Sequence, residues 1–253
     1  MTFTPYLVLC AVHLVLLETG PGWSITATKA LLMPLLALGV VLAARRTRPV
    51  PLALPWMLLA AIALSWAGDV ALSFPGMFVV GLGAFLLAHV AYITVFVRLP
   101  GRGGGRSDDG RSGDGQDRGT VRSGIAASTR RRPPLWTLVY VVWFGGFIAL
   151  LGPHTGALLV PVALYGLVLG LMAAFAAARG PVMAIGGALF VTSDSVLGLG
   201  RFLPGYDFAL HDLTVMTTYL AAQLLIAIGV LAALRASARP SREPDRPVAA
   251  TAP

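Results

Sequence analysis

Charge is the first thing this chain lacks. Asp, Glu, Lys and Arg make up 12% of its 253 residues and hydrophobic residues 57%, whereas about 25% of an ordinary soluble domain is charged. That is a membrane composition. Cysteine occurs once, at Cys10, which excludes an intramolecular disulfide and any multi-cysteine zinc or iron–sulfur site. Met1 to Pro5 carry no charged side chain, so the apolar run Tyr6–Leu17 lacks the basic n-region of a signal peptide and reads as a retained first span. No G-x-S-x-G elbow, G-x-x-x-x-G-K-[ST] loop or H-E-x-x-H helix occurs, which removes the usual signatures of serine hydrolases, P-loop enzymes and zinc proteases.

What the chain has is apolar length. A bilayer core about 30 Å thick needs about 20 apolar residues per helix, and eight segments qualify, at 5–19, 26–44, 53–73, 77–98, 135–152, 155–178, 181–202 and 212–235. Arginine placement tests this division, because cytoplasmic connections collect Lys and Arg. Arg45, Arg46 and Arg48 follow span two, a long basic loop follows span four, Arg179 follows span six, and Arg235, Arg239, Arg242 and Arg246 follow span eight. The alternate connections hold one arginine, Arg201. The reading is an all-α, polytopic membrane protein of about eight transmembrane helices, in the cell membrane, with both termini cytoplasmic. The formal charge of +8 then faces an anionic leaflet, and no nucleic-acid partner is expected.

Composition divides the chain further. Residues 1–99 form a first four-helix half, 100–134 a disordered basic cytoplasmic loop rich in Gly, Arg, Ser and Asp, 135–235 a second four-helix half, and 236–253 a disordered cytoplasmic tail. The halves share a D-x-x-L pattern, at Asp69 and Asp194, each followed by a helix with an aromatic and a polar residue four apart: Phe85 and His89, then Tyr219 and Gln223. Repeats of four spans each would be parallel.

Ionisable residues inside spans cost about 2.5–3.5 kcal/mol each on insertion scales, so they need a partner, a cavity or a task. By depth, Asp69 falls near the outer end of span three and Asp194 about a third of the way into span seven. Lys29, the only lysine in the chain, lies one turn into span two from the same side, and Tyr219, Gln223 and His89 fall nearby in depth. Lys29 either pairs with an aspartate, holds a phosphate or snorkels to the interface. The aspartates either tie helices together or carry chemistry, and Ser193 and Ser195 read as interhelical bonds rather than nucleophiles.

Four pieces in order carry a resemblance to the lysoplasmalogenase, or YhhN-like, membrane proteins: Lys29-Ala30-Leu31-Leu32-Met33-Pro34; Gly68-Asp69 with Phe85, His89 and Tyr92; Gly187-Ala188-Leu189-Phe190-Val191-Thr192-Ser193-Asp194; and Tyr219 with Gln223. The resemblance covers most of residues 26–98 and 160–232. Ala30 departs from it, standing where the K-P form of the motif has proline. The resemblance implies hydrolysis of the vinyl ether bond of a lysoplasmalogen-like lysophospholipid to a fatty aldehyde and a glycerophospho-alcohol, without a cofactor or metal. Asp69 and Asp194 are then the expected catalytic pair, and Lys29, His89, Tyr92, Tyr219 and Gln223 the expected substrate-binding residues.

The chemistry suits two carboxyls. An enol ether is cleaved by protonation of its β-carbon, addition of water to the resulting oxocarbenium ion and collapse of the hemiacetal, which asks for one group in the acid form and one ionised beside the developing cation. Asp194, deeper and flanked by apolar residues, is expected to be the acid and Asp69 the base or charge stabiliser. A reading from another class is a proton-coupled transporter or lipid-binding protein that uses the same aspartates.

Overall fold

The computed structural model describes residues 2–46, 53–100 and 133–238. Within them the chain forms eight α-helices: α1 (Thr4–Thr19), α2 (Gly22–Arg45), α3 (Ala53–Leu72), α4 (Phe78–Arg98), α5 (Val139–Thr155), α6 (Leu159–Ala177), α7 (Pro181–Phe202) and α8 (His211–Ser237). Single 3-10 turns precede α5 and α6, and no strand occurs among the described residues. Nearly all of the expected basic loop and tail lie outside the described residues. Several boundaries differ from expectation: α2 starts a turn earlier, directly after Pro21; α5 begins at Val139, behind the 3-10 turn Leu135–Leu138, and runs on to Thr155; α6 begins a turn later, at Leu159; and α8 runs on to Ser237.

Among the described residues, six helical runs are long and apolar enough to cross a bilayer, with Leu135–Ala177 counting as one run of 43 residues. Gly156 divides that run. Its φ of 55° is a conformation open mainly to glycine, and beyond it α6 returns along α5, so that Gly166 meets Phe144 and Gly170 meets Tyr140. α1, with 16 residues, is the short member, about 24 Å long. The outward surface is apolar: Val8, Val12 and Val15 on α1, Val141 and Val142 on α5, and Leu164 and Leu171 on α6 are all exposed. Such a belt far exceeds the apolar patch a protein in water tolerates. The chain is an integral membrane protein.

Pairing of backbone polar groups explains how the helices lock, because hydrocarbon offers them no partner. Pro34, inside α2, has no N–H to give to the carbonyl four residues earlier. That carbonyl belongs to Ala30, and Trp66 Nε1 of α3 donates to it at 2.8 Å. Tyr6 Oη of α1 donates to Leu220 O of α8 at 2.9 Å, and Ser193 Oγ of α7 donates to Val215 O of α8 at 3.0 Å. Trp143 Nε1 of α5 donates to Ser195 Oγ at 3.0 Å. The two serines thus bond across helices as their setting predicts.

Within each half the second helix packs on the third and the third on the fourth, and between halves α4 packs on α6 while α8 packs on α2. This reciprocal adjacency is what two parallel repeats would generate, and on it we propose the duplication.

Candidate active site

Asp69 sits one turn before the end of α3, and its residue is only 4% exposed. Its Oδ2 accepts a hydrogen bond from Tyr219 Oη at 2.7 Å. Gln223 Nε2, one turn further along α8, donates to the same tyrosine oxygen at 3.2 Å, and Tyr92 Oη of α4 donates to Gln223 Oε1. The direction of the chain is forced. The Gln223 amide occupies a lone pair of the Tyr219 oxygen, so the phenolic hydrogen goes to the carboxylate, and Tyr92, facing an oxygen, gives its own. Every hydrogen in the chain points towards Asp69, and an acceptor-only carboxylate completes it.

Gly68 belongs to this site through packing. Phe85 of α4 lies so close to α3 that a Cβ on Gly68 would come within 2.6 Å of Phe85 Cε2. The Phe85 ring then meets Tyr219 edge-on, with centroids 5.9 Å apart, and Phe190 of α7 meets the same tyrosine at 5.4 Å. Such aromatic pairs add about 0.5–1.5 kcal/mol each beyond the area they bury.

Asp194 stands on the other side of that aromatic wall. It is half-buried, and its Oδ2 accepts from Tyr165 Oη of α6. Both residues line a cavity of about 40 Å³ between α3, α4, α5, α6 and α7, whose other walls include Leu72, Phe85, Phe147, Leu197 and Phe202. That volume admits a few waters, or the few carbons around one double bond, and no fatty chain.

His89, one turn after Phe85 on α4, is fully buried. Its Nδ1 is 2.6 Å from Phe85 O, and because a carbonyl only accepts, Nδ1 carries the hydrogen and Nε2 is a bare acceptor. Nε2 is buried and has no protein partner among the described residues. The ring stands edge-on to Tyr165 at 5.4 Å and to Phe190 at 4.7 Å.

The residues singled out in the sequence therefore divide. Asp69, Tyr219, Gln223 and Tyr92 form one hydrogen-bonded chain, Asp194 lines the cavity, and His89 packs against Tyr165 and Phe190. The stripe Phe85, His89, Tyr92 and Phe96 is buried along its length. Lys29 joins neither group by contact: it is half-buried, near enough to Asp69 and His13 to act on them through space, yet no ion pair within 4 Å connects it to either aspartate. α2 runs through Ala30 unbroken, so the missing proline leaves the backbone beside Lys29 helical. Burial also orders the aspartates differently from depth. Asp69, nearer its helix end, is the more enclosed, because α7 turns Asp194 towards the cavity while α8 covers Asp69. Tyr165 and Phe190 were not expected at the site. A tyrosine hydroxyl in an otherwise apolar span needs a polar partner, and that requirement was the available signal for Tyr165.

The YhhN family pattern matches residues 24–230, which include every residue of this site. Among curated proteins, the rat lysoplasmalogenase TMEM86B is 28% identical over 229 residues, covering 90% of this chain and 82% of the relative. A Mycobacterium tuberculosis lysoplasmalogenase is 32% identical over 224 residues, covering 84% and 75%, and the human lysoplasmalogenase TMEM86B is 30% identical over 176 residues, covering 69% and 63%. No solved structure matches the chain significantly. A family pattern that spans nearly all of the helical bundle, with lysoplasmalogenases of rat and M. tuberculosis aligned over most of the chain, places the chain in the YhhN family.

Proposed function

We propose that this protein hydrolyses the vinyl ether bond of a lysoplasmalogen, releasing a fatty aldehyde and a glycerophospho-alcohol, with Asp194 as the acid and Asp69 as its ionised counterpart. The observation that carries the assignment is the contrast between the two carboxyls: Asp194 faces a cavity, while Asp69 closes a chain of donors that all point at it. Tyr165 donates to Asp194 Oδ2, which leaves Oδ1 to carry the transferable proton. That proton passes to the β-carbon of the enol ether as its π electrons form the new C–H bond. Positive charge then spreads over the α-carbon and the ether oxygen, and the fixed negative charge of Asp69 beyond the aromatic wall stabilises it. Water attacks the α-carbon and gives a proton back to the Asp194 carboxylate. The hemiacetal then collapses, breaking its bond to the glycerol oxygen, which takes a proton as the aldehyde leaves. No nucleophilic side chain and no covalent intermediate are needed.

Tyr219, Gln223 and Tyr92 act on Asp69 rather than on the lipid. The arginine-bearing ends Arg45, Arg98, Arg179 and Arg235 face the cytoplasm in this reading, and so do both termini. The test is incubation of purified protein with 1-alkenyl, 1-alkyl and 1-acyl lysolipids and detection of free aldehyde. Aldehyde from the alkenyl lipid alone is the expected result, and its absence from all three would return the aspartates to transport or to structure.

A further inference from the structure

Arg201 is the arginine that the charge pattern leaves over. It lies at the end of the bundle opposite the basic connections, in the last turn of α7, where an ordinary cation would be expected to point into water. The residue is exposed, and its guanidinium lies over the Phe78 ring of α4, 4.9 Å from the centroid. Phe78 meets Phe202 edge-on at 5.7 Å, and both line the cavity that holds Asp194. No carboxylate lies within ion-pair distance of Arg201 among the described residues. Contact with an aromatic face orients a guanidinium without using its in-plane N–H donors, so this one is pre-positioned and its fork is open.

We propose that Arg201 binds the phosphodiester of the lysolipid and sets how far the lipid enters, so that the vinyl ether stops at Asp194. The inference rests on the hydrolase reading for the identity of the lipid, and its geometry is independent of that reading. Asp194, Leu197, Gly198, Arg201 and Phe202 fall at i, i+3, i+4, i+7 and i+8, one stripe of α7. Asp194 and Arg201 are two turns apart, about 10.5 Å along the axis. In an alkenyl lysophospholipid the vinyl β-carbon and the phosphorus are separated by seven bonds, roughly 9 Å when extended. The lengths match. A guanidinium on the non-bridging phosphate oxygens therefore presents the β-carbon to the carboxyl two turns deeper, and the fatty chain, too large for the cavity, stays in the bilayer. Arg201 itself is outside the cavity lining and touches it through Phe78, whereas Lys29, for which phosphate binding was one of three readings, is on α2, which contributes no residue to the lining.

The test compares wild type, Arg201→Ala and Arg201→Lys on a 1-alkenyl lysophospholipid and on the 1-alkenylglycerol that lacks phosphate. Arg201→Ala is expected to raise KM for the phosphate-bearing lipid about tenfold, as suits a charge-assisted contact at a solvent-facing mouth, with kcat nearly unchanged. Arg201→Lys recovers part of the loss, and all three proteins handle the alkenylglycerol alike. An equal change on both substrates would overturn the proposal. Binding of the uncleavable 1-alkyl lysophospholipid separates this inference from the hydrolase reading. If wild type releases no aldehyde but Arg201→Ala weakens that binding about tenfold, the headgroup site stands and the hydrolase reading falls. Binding indifferent to Arg201 would remove the headgroup site whatever the activity.

Discussion

Asp69 and Asp194 are the same residue type on corresponding helices, third and seventh, and they live in opposite surroundings. Asp69 is enclosed at 4% exposure and receives a hydrogen bond whose direction is fixed two residues upstream, by Gln223 and Tyr92. Asp194 is half-buried, has Tyr165 on one oxygen and looks into a cavity. A carboxyl wired on the protein side holds its charge state while things happen nearby. A carboxyl that faces an opening can exchange a proton with what enters. The lesson is that two like groups are separated in surroundings by who donates to them, not by how deep they sit.

The largest effects should come from the carboxyls themselves. Asp194→Asn keeps the shape and removes the transferable proton, so aldehyde release should fall about 10²–10⁴-fold with the unfolding temperature unchanged or raised. An active but destabilised Asp194→Asn protein would end the acid role. Asp69→Asn should lose turnover on a similar scale, and the comparison sharpens if it alone also unfolds more easily, because only Asp69 terminates a directed chain.

The tyrosines come next. Tyr165→Phe should lower kcat by roughly ten- to a hundredfold, within the range of a proton-positioning group, and change stability by about 1 kcal/mol or less. Tyr219→Phe should do the reverse in emphasis, costing about 1–3 kcal/mol because the Gln223 amide and Asp69 are left unsatisfied. Denaturation and turnover measured on both variants would break the comparison if the two tyrosines behaved alike. Gly68→Ala acts on the wall between the sites: Phe85 must shift, at about 1–3 kcal/mol of overpacking, read as a lower unfolding temperature with a smaller loss of turnover. Smallest of all is removal of residues 103–128, a stretch with too little apolar surface to join a packed core, which should leave insertion and turnover within about twofold of wild type.

Much of the bundle was legible in the sequence, since the bilayer sets helix length and scarce charge marks the ends. Even the early start of α2 has a reason: Gly22 to Thr28 is mixed in polarity and reads as interface, although Pro21 is a suitable residue to precede a helix. The depth of Asp69, Tyr219 and Gln223 could be read by counting residues. Their lateral meeting could not, because it depends on which faces α3 and α8 turn to each other. For the same reason depth left Lys29 three readings, pairing an aspartate, holding a phosphate or snorkelling, and the structure shows no ion pair to either aspartate. Tyr165 escaped because it stands alone among Leu, Val, Gly and Ala, with no second polar residue one turn away to mark a stripe.

Arg179 closes the account of how the two halves are held. Its guanidinium donates to Leu99 O at 2.8 Å and to Val97 O at 3.1 Å, carbonyls that the end of α4 leaves without a helical partner. The last turn before the long connection is thereby moored to the start of α7, and α4 is already packed on α6. With that contact in place, covalent continuity between the halves should not be required for assembly. Two fragments made separately, 1–110 and 120–253, should find each other in a membrane and restore the site, and the same place in the chain should accept a spliced-in foreign domain.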